Sequence, residues 1–473
     1  MADADVSNDV AGKPGLARSS LRPLLLRLHF YAGILVGPFL VVVAATGLLY
    51  ALSPQIESVI YRDTLTVDSA RSTVPLSAQV AAAREHHPDG TLLAIRPAAG
   101  PEDTTRVLLG VPGLGESERL AVFVNPANAD VTGELVAYGS TGALPLRTWL
   151  SGLHRNLHLG ETGRLYSELA ASWLWLIALA GLVLWWTGRR SGSRLKPQRS
   201  GSPRRRTLSW HGAAGTWVIV VMLFLSATGL TWSRFAGENV DELRSALSWT
   251  TPSVSTAVST DHTGHAGMPA PGEDPKVESW DRTMTSARSA QLDGPVEIVA
   301  PKKAGSAFVV QEIGKLWPTQ ADSVAVDPMS GEVLDVVRFD DYPLAAKLTR
   351  WGIDAHMGVL FGLANQLILV AVMVVVIAMV VWGYRMWWLR RPTRGHAIRF
   401  GRPAQRGAWR RASLPWLVVV LAAAVGVGIF LPLLGISLAA FLLVDLAFGL
   451  YRGRTSGEGV QGEEQRDAGV LVG

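Results

Sequence analysis

Residues 29–50 read HFYAGILVGPFLVVVAATGLLY, and residues 211–232, which lie 182 positions later, read HGAAGTWVIVVMLFLSATGLTW. Each copy begins with His, has Gly four residues on, and carries Ala-Thr-Gly-Leu near its end, at 45–48 and 227–230. A largely apolar run of this length, at about 1.5 Å per residue, can span the hydrocarbon core of a bilayer. The repeat predicts an internal duplication built on a membrane helix that carries one imidazole in each copy.

The composition indicates a membrane protein with sizeable soluble segments. The chain has 473 residues, 48% of them hydrophobic, and a mean hydropathy of +0.23. The net charge of +5 is modest and the basic residues gather in short loops, so we expect no nucleic-acid partner. The sequence contains no cysteine, which excludes disulfides, thiolate metal sites and the covalent attachment of c-type haem. Any haem in this protein must be held non-covalently.

The apolar runs predict an α-helical bundle of six transmembrane helices, formed by an internally duplicated four-helix core and a C-terminal hairpin. Between them lie two long segments, 53–165 and 233–355, which we expect outside the cytoplasm. The predicted membrane segments are residues 29–52, 166–187, 209–232, 356–388, 413–431 and 433–451.

The short loops predict the orientation of the chain. Loops 188–208 and 389–412 each contain eight basic residues and no acidic one. Short cytoplasmic loops are enriched in Lys and Arg, so both loops are expected inside the cell. The tails 1–28 and 452–473 then also lie inside, in a multi-pass protein of the cytoplasmic membrane.

The two long segments contain related motifs. Val-Asn-Pro at 124–126 is followed by Gly-Glu-Leu at 133–135, and Val-Asp-Pro at 326–328 by Gly-Glu-Val at 331–333. Each set predicts a strand, a turn and a second strand. Ala-rich or Ser-rich helix candidates precede them at 77–86 and 279–291. A small α+β module is therefore expected in each outer segment.

Histidines recur at the predicted helix ends. His29 and His211 begin helices at the inner face, whereas His158 and His356 are predicted to begin helices at the outer face. Ionisable residues at membrane level are costly and are functional candidates. Two imidazoles on facing helices suit six-coordinate haem iron, and nearby glycines would admit the flat ring. His154, one turn before His158, is a candidate spare ligand or propionate partner; the alternative for each histidine is a hydrogen bond to a headgroup or carbonyl.

A second constellation lies in a polar stretch of the second outer segment. His262, His265 and Met268 follow one another at intervals of three residues. Two imidazoles and a thioether suit copper or another soft to borderline metal. The alternative is a flexible linker that contains histidines without a metal.

These motifs together resemble the bacterial PepSY-associated transmembrane family over roughly residues 24–392. The resemblance implies paired membrane helices alternating with PepSY modules outside the cytoplasm. That family includes dihaem reductases that take iron from ferric siderophores. It implies here two non-covalent b-type haems, held by His29, His211, His158 and His356, with His154 in reserve. The helices predicted within residues 414–450 depart from the four-helix core.

The resemblance implies a membrane haem oxidoreductase, with ferric siderophore or another metal complex as its electron acceptor. No Gly-x-Gly-x-x-Gly follows a strand on the inner side and the inner loops are short, so the donor is expected to be separate, as quinol or a cytoplasmic flavoprotein. Two other functions remain open. One is a non-catalytic PepSY anchor in the lipid bilayer that binds a peptide or peptidase, and the other is a transporter-associated factor for iron or copper uptake.

Overall fold

The computed structural model describes residues 16–68, 72–188, 194–258, 276–303, 305–390 and 414–448. The chain divides into two compact units. The helical unit takes the described residues of Met1–Ala44, Leu159–Val240 and Val374–Gly473, and the sheet unit takes those of Ala45–His158 and Asp241–Met373. The predicted metal ligands His262, His265 and Met268 lie outside the described residues.

Helices and strands alternate along the chain in blocks. The helices are α1 (Leu16–Leu35), α2 (Gly37–Ala51), α3 (Ser53–Ile60), α4 (Arg62–Leu65), α5 (Leu76–His86), α6 (Pro145–Asn156), α7 (Gly160–Gly188), α8 (Pro203–Leu230), α9 (Phe235–Ala246), α10 (Glu278–Ser289), α11 (Leu344–His356), α12 (Leu363–Trp388), α13 (Leu414–Phe430) and α14 (Pro432–Phe448). The strands are β1 (Thr91–Arg96), β2 (Thr105–Gly110), β3 (Glu118–Val124), β4 (Val131–Tyr138), β5 (Val296–Val299), β6 (Phe308–Glu312), β7 (Ser323–Val326) and β8 (Val333–Val337). The helix candidates at 77–86 and 279–291 appear as α5 and α10.

Three helices of the described residues, α7, α8 and α12, are long and apolar enough to cross a membrane. The pair Arg22–Leu35 and Gly37–Ala51, which is bent by 58°, gives a fourth span if it is counted as one. Helices α13 and α14 are shorter apolar helices. A 17-residue helix is about 25 Å long, less than a typical hydrocarbon core. The described part of the chain therefore contains three or four candidate spans, and the six-helix bundle stays a prediction.

The bend between α1 and α2 follows from the Gly37-Pro38 pair. Proline has no backbone N–H, and its ring collides with the carbonyl four residues earlier. That carbonyl belongs to Ile34, and the Tyr384 hydroxyl of α12 donates a hydrogen bond to it at 2.6 Å. An added Cβ at Gly37 would lie 3.2 Å from the Val380 side chain, so glycine lets α12 approach the bend closely.

The first two candidate ligands lie inside helices and do not begin them as predicted. Helix α1 starts thirteen residues before His29, and α8 starts eight residues before His211. At the start of α8 the Ser202 hydroxyl accepts a hydrogen bond from the Arg205 amide, which caps the helix. Polar residues therefore extend both helices beyond the apolar runs that the sequence made visible.

The other two candidate ligands lie at turns between helices. His158 follows α6 with a positive φ of 54°, and Gly160 has a φ of 58°. His356 is the last residue of α11, and the span α12 begins seven residues later. Gly358 and Gly362, with φ values of 81° and 56°, occupy the turn between these helices. Such left-handed backbone favours glycine and separates the two helices, so the prediction that His356 opens a span is wrong.

All eight strands of the sheet unit belong to one antiparallel sheet, in the order β4-β3-β2-β1-β5-β6-β7-β8. Strand β1 pairs with β5, where Ile95 is opposite Ile298 and Ala94 is opposite Val299. The two predicted modules, each supplying four strands, are thus joined edge to edge in a single sheet.

Helices α5 and α10 cover one face of this sheet. The core beneath them includes Trp280 of α10 and Phe308 of β6, which are fully buried with ring centroids 4.9 Å apart. Val80 of α5 and Val122 of β3 are fully buried in the same core. One continuous core therefore serves both halves of the sheet.

The turns β3–β4 and β7–β8 form the same hydrogen bond. The Asn125 amide donates to the Asp130 carbonyl at 2.8 Å, and the Asp327 amide donates to the Glu332 carbonyl at 2.9 Å. Glu332 in the second turn therefore corresponds to Asp130 in the first turn. It does not correspond to Glu134, which lies four residues after Asp130. The two Gly-Glu pairs that made the segments look related in sequence occupy different places in the fold.

Candidate functional site

The first histidine pair, His29 of α1 and His211 of α8, lies in the helical unit. The centroids of the two rings are 6.1 Å apart and their planes form an angle of 80°. The Nδ1 of His29 is 2.9 Å from the Ile177 carbonyl oxygen, and the Nδ1 of His211 is 3.0 Å from the Met379 carbonyl oxygen. A carbonyl only accepts, so each Nδ1 carries a proton and donates it, which leaves the lone pair of Nε2 free. Metal-bound histidines have this arrangement.

The ring of His29 reaches the Ile177 carbonyl because α7 has a glycine one turn further on. An added Cβ at Gly181 would lie 2.7 Å from Cε1 of His29, too close for any other residue without a shift. Gly181 therefore admits the ring against the α7 backbone, and the contact fixes which nitrogen points away from α7.

Both rings line a cavity of about 820 Å³ in the helical unit. Its wall is mainly apolar and includes Gly33 of α1 and Gly383 of α12. A Cβ added at either glycine would meet no atom within 4 Å, so the space beside both backbones is open. Four of the described arginines line the cavity, namely Arg22, Arg204, Arg390 and Arg27, the last of which is paired with Asp445.

The first histidine pair fits a haem. Histidine nitrogens bind metals at about 2.0–2.1 Å, so two imidazoles on opposite sides of one iron have ring centroids roughly 6 Å apart. The observed spacing of 6.1 Å matches this requirement. The apolar cavity has the size of typical cofactor sites, and the two open glycines leave room for a flat group. The arginines at the cavity would offer positive charge to the propionates of a bound haem.

The C-terminal helix α14 forms part of the cavity wall, through residues that include Phe441 and Asp445. The Asp445 carboxylate is 3.2 Å from the guanidinium of Arg27, which is only 3% exposed. A buried charge needs a close partner of opposite charge to offset the cost of its desolvation. Helix α14, which belongs to the predicted hairpin outside the four-helix core, thus closes one side of the cavity.

The second histidine pair, His154 of α6 and His356 of α11, lies in the sheet unit. Burial and the nearby charge of His154 lower the pKa of His356 to about 3, so its ring is neutral at neutral pH. The Nδ1 of His154 is 3.0 Å from the Thr46 hydroxyl of α2. An added Cβ at Gly47 would lie 3.1 Å from Cε1 of His154, so the Thr-Gly pair of the first repeat both orients this ring and makes room for it.

In the structure, His158 contacts the backbone and side chain of Trp149, which lies on the same helix–turn segment. Its Nε2 is 2.9 Å from the Trp149 carbonyl oxygen, and its ring lies 5.2 Å from the Trp149 ring. An added Cβ at Gly152 would be 2.6 Å from its Cε1. The pairing of His158 with His356 stays a prediction. The effect of His154 on the pKa of His356 favours His154 as the partner of His356.

A sequence signal for this choice exists in both halves. Trp149 precedes His154 by five residues, and Trp351 precedes His356 by the same interval. The five-residue interval after tryptophan makes His154 the equivalent of His356. The two-residue interval before glycine, which His158 and Gly160 share with His356 and Gly358, had suggested His158 instead. Gly160 is explained by its left-handed backbone, so it is a misleading marker for a ring-binding site.

The family model of the PepSY-associated TM region matches residues 26–390. The match covers 365 of the 473 residues and includes both histidine pairs. The chain therefore belongs to the PepSY-associated transmembrane family. No curated protein matches it.

Proposed function

We propose that this member of the PepSY-associated transmembrane family is a haem-containing electron-transfer protein that reduces ferric siderophore or another ferric complex outside the cytoplasm. The observation that carries the proposal is the first histidine pair, in which both Nδ1 atoms are bonded to backbone carbonyls and the rings are 6.1 Å apart at one cavity. His154 and His356 are proposed to hold a second haem.

A bound b-type haem would supply a one-electron redox centre at each pair. The residues of this chain hold and orient that centre. Ile177 and Met379 fix the protons on the ligand imidazoles through their carbonyls, and the apolar wall excludes water. The donor, quinol or a cytoplasmic flavoprotein, gives one electron at a time, and each electron converts one ferric ion to ferrous.

We further propose the orientation and architecture that the sequence predicts. Loops 188–208 and 389–412 lie in the cytoplasm, and the sheet unit lies outside. The matching hydrogen bonds of the β3–β4 and β7–β8 turns and the repeated His and Trp spacings support an internal duplication. Cysteine labelling of the naturally cysteine-free chain in intact cells tests the orientation, because single cysteines in the sheet unit should react with an impermeant reagent.

Haem content tests the function. Full-length protein is purified in detergent from haem-replete cells, and its haem is measured as the pyridine haemochrome. We expect two b-type haems per chain that are reduced by dithionite and reoxidised by a ferric siderophore under anaerobic conditions. A colourless protein would overturn the proposal and favour the anchor function. A red protein that no ferric complex reoxidises would support the haem sites but contradict the proposed electron acceptor.

A further inference from the structure

We propose that His86, His87 and Glu134 form a binding site for a divalent first-row transition cation on the sheet unit. Each residue offers one ligand atom, and the three atoms lie within 4.8 Å of one another. The cluster is separate from both histidine pairs and plays no part in the proposed electron transfer.

The two imidazoles converge because the helix stops between them. Neighbouring residues of a helix point in directions about 100° apart and cannot share one ligand site. Helix α5 ends at His86, and His87 leaves the helical region with φ −131° and ψ 79°. Pro88 disfavours helical backbone at the residue before it, which explains the break. The ring centroids of the two histidines are consequently only 5.0 Å apart.

Glu134 meets them from the edge strand β4. It is directly opposite Val122 of β3, and opposite residues of antiparallel strands point to the same face. Val122 is buried beneath α5, so Glu134 also lies on the face that α5 covers. Its carboxylate accepts a hydrogen bond from His87 Nε2 and lies 3.5 Å from His86 Nε2.

The ligand set selects the class of cation. Two ligand atoms bound at about 2.0–2.1 Å to one tetrahedral ion are roughly 3.4 Å apart, close to the observed 3.5 Å between His86 and Glu134. Imidazole with carboxylate suits zinc, ferrous iron and similar ions, whereas Mg²⁺ and Ca²⁺ prefer oxygen ligands. The carboxyl end of α5 adds a favourable field for a cation. With side chains 29–50% exposed, water can complete the coordination.

The second half of the sheet provides an internal comparison. The pair Val124 and Val131 corresponds to Val326 and Val333 in the strand register, which puts Val336 at the place of Glu134. Valine offers no ligand atom. The cluster is therefore particular to the first half and does not come from the sheet architecture itself.

Zinc binding to the full-length protein tests the site. The His262→Ala, His265→Ala, Met268→Ala triple variant serves as the background, because those residues are potential metal ligands too. Metal-stripped protein in detergent is titrated calorimetrically with ZnCl₂. We expect one saturable event that excess Mg²⁺ does not compete with. Adding His87→Ala or Glu134→Gln should weaken it at least tenfold.

Two controls give every outcome a meaning. Glu332→Gln removes an exposed carboxylate from the β7–β8 turn and should leave zinc affinity unchanged. Far-UV circular dichroism and gel filtration, measured in parallel, report that each variant is folded. Absence of saturable binding in the triple-variant background would overturn the proposal, as would unchanged affinity in folded His87→Ala or equal losses in Glu134→Gln and Glu332→Gln.

Discussion

The two histidine pairs are oriented by different kinds of partner. His29 and His211 donate to backbone carbonyls of α7 and α12, whereas His154 contacts the side-chain hydroxyl of Thr46. A carbonyl within a helix stays in place whatever the side chain there, but a hydroxyl is removed by one substitution. Both rings of the first pair are thus held by backbone groups, whereas His154 of the second pair is held by a side chain. The orientation of His154 should therefore be easier to alter by a single substitution.

The largest expected effect is the loss of a whole haem from the first pair. His29→Ala and His211→Ala should each reduce haem content toward half, because either change removes one of two ligands of the same iron. The double variant should lose little more, since the site is already lost. His29→Ala combined with His356→Ala should abolish both haems. The measurement is haem per chain with the reduced spectrum; additive losses for His29 and His211 would contradict a shared site.

The second pair separates His154 from His158. His154→Ala should lose the same spectral component as His356→Ala, whereas His158→Ala should keep both haems. The expected contrast follows from the contact of His158 with Trp149 and from the effect of His154 on His356. Low-temperature spectra of the three variants decide the matter. Haem loss in His158→Ala alone would restore the pairing first predicted from the sequence.

Filling the cavity should weaken the first site alone. Gly33→Leu places a side chain in open space that a haem would occupy. The crowding should make the free energy of haem binding less favourable by about 1–3 kcal/mol. Gly426→Leu is the matched control, because an added Cβ there also meets nothing within 4 Å and Gly426 does not line the cavity. Haem retention during transfer to apomyoglobin measures the difference. Equal retention in both variants would argue against a haem beside Gly33.

The smallest expected effect tests the hydroxyl that orients His154. Thr46→Val preserves the shape and removes a hydrogen bond with a net contribution of about 0.5–1.5 kcal/mol. The second haem should dissociate up to roughly tenfold faster and shift in midpoint potential, while the first is unchanged. Thr187→Val is the control, since its hydroxyl donates to the Val183 carbonyl of its own helix. A redox titration that shifts both haems equally would remove the distinction between the pairs.

The sequence singled out candidate residues but not their places in the fold. Repetition pointed to His29 and His211, whose ring centroids are 6.1 Å apart, and the resemblance to the family agrees with the match over residues 26–390. The choice between His154 and His158 depended on the turn after α6, where left-handed residues reverse the chain. Local spacing cannot decide which of two histidines one turn apart faces a partner 200 residues away.

Strand pairing between the two halves also escaped the sequence. The sequences of β1 and β5 carry no information on which edge of one half meets which edge of the other. The ion pair of Arg27 with Asp445 shows the same limit, because it joins residues over 400 positions apart. Both contacts are set by tertiary packing, which overrides any local pattern.

A chain that ended before β5 would leave the β1 edge bare. In the full protein that edge is covered by the pairing of Ile95 with Ile298. Exposed edges recruit other strands, so a half-length relative would be driven to pair β1 with β1 of a second copy. Joining both halves of the sheet in one chain makes the contact between β1 and β5 independent of protein concentration. The two halves can also differ in sequence, as Glu134 in the first half and Val336 at the corresponding place in the second half show.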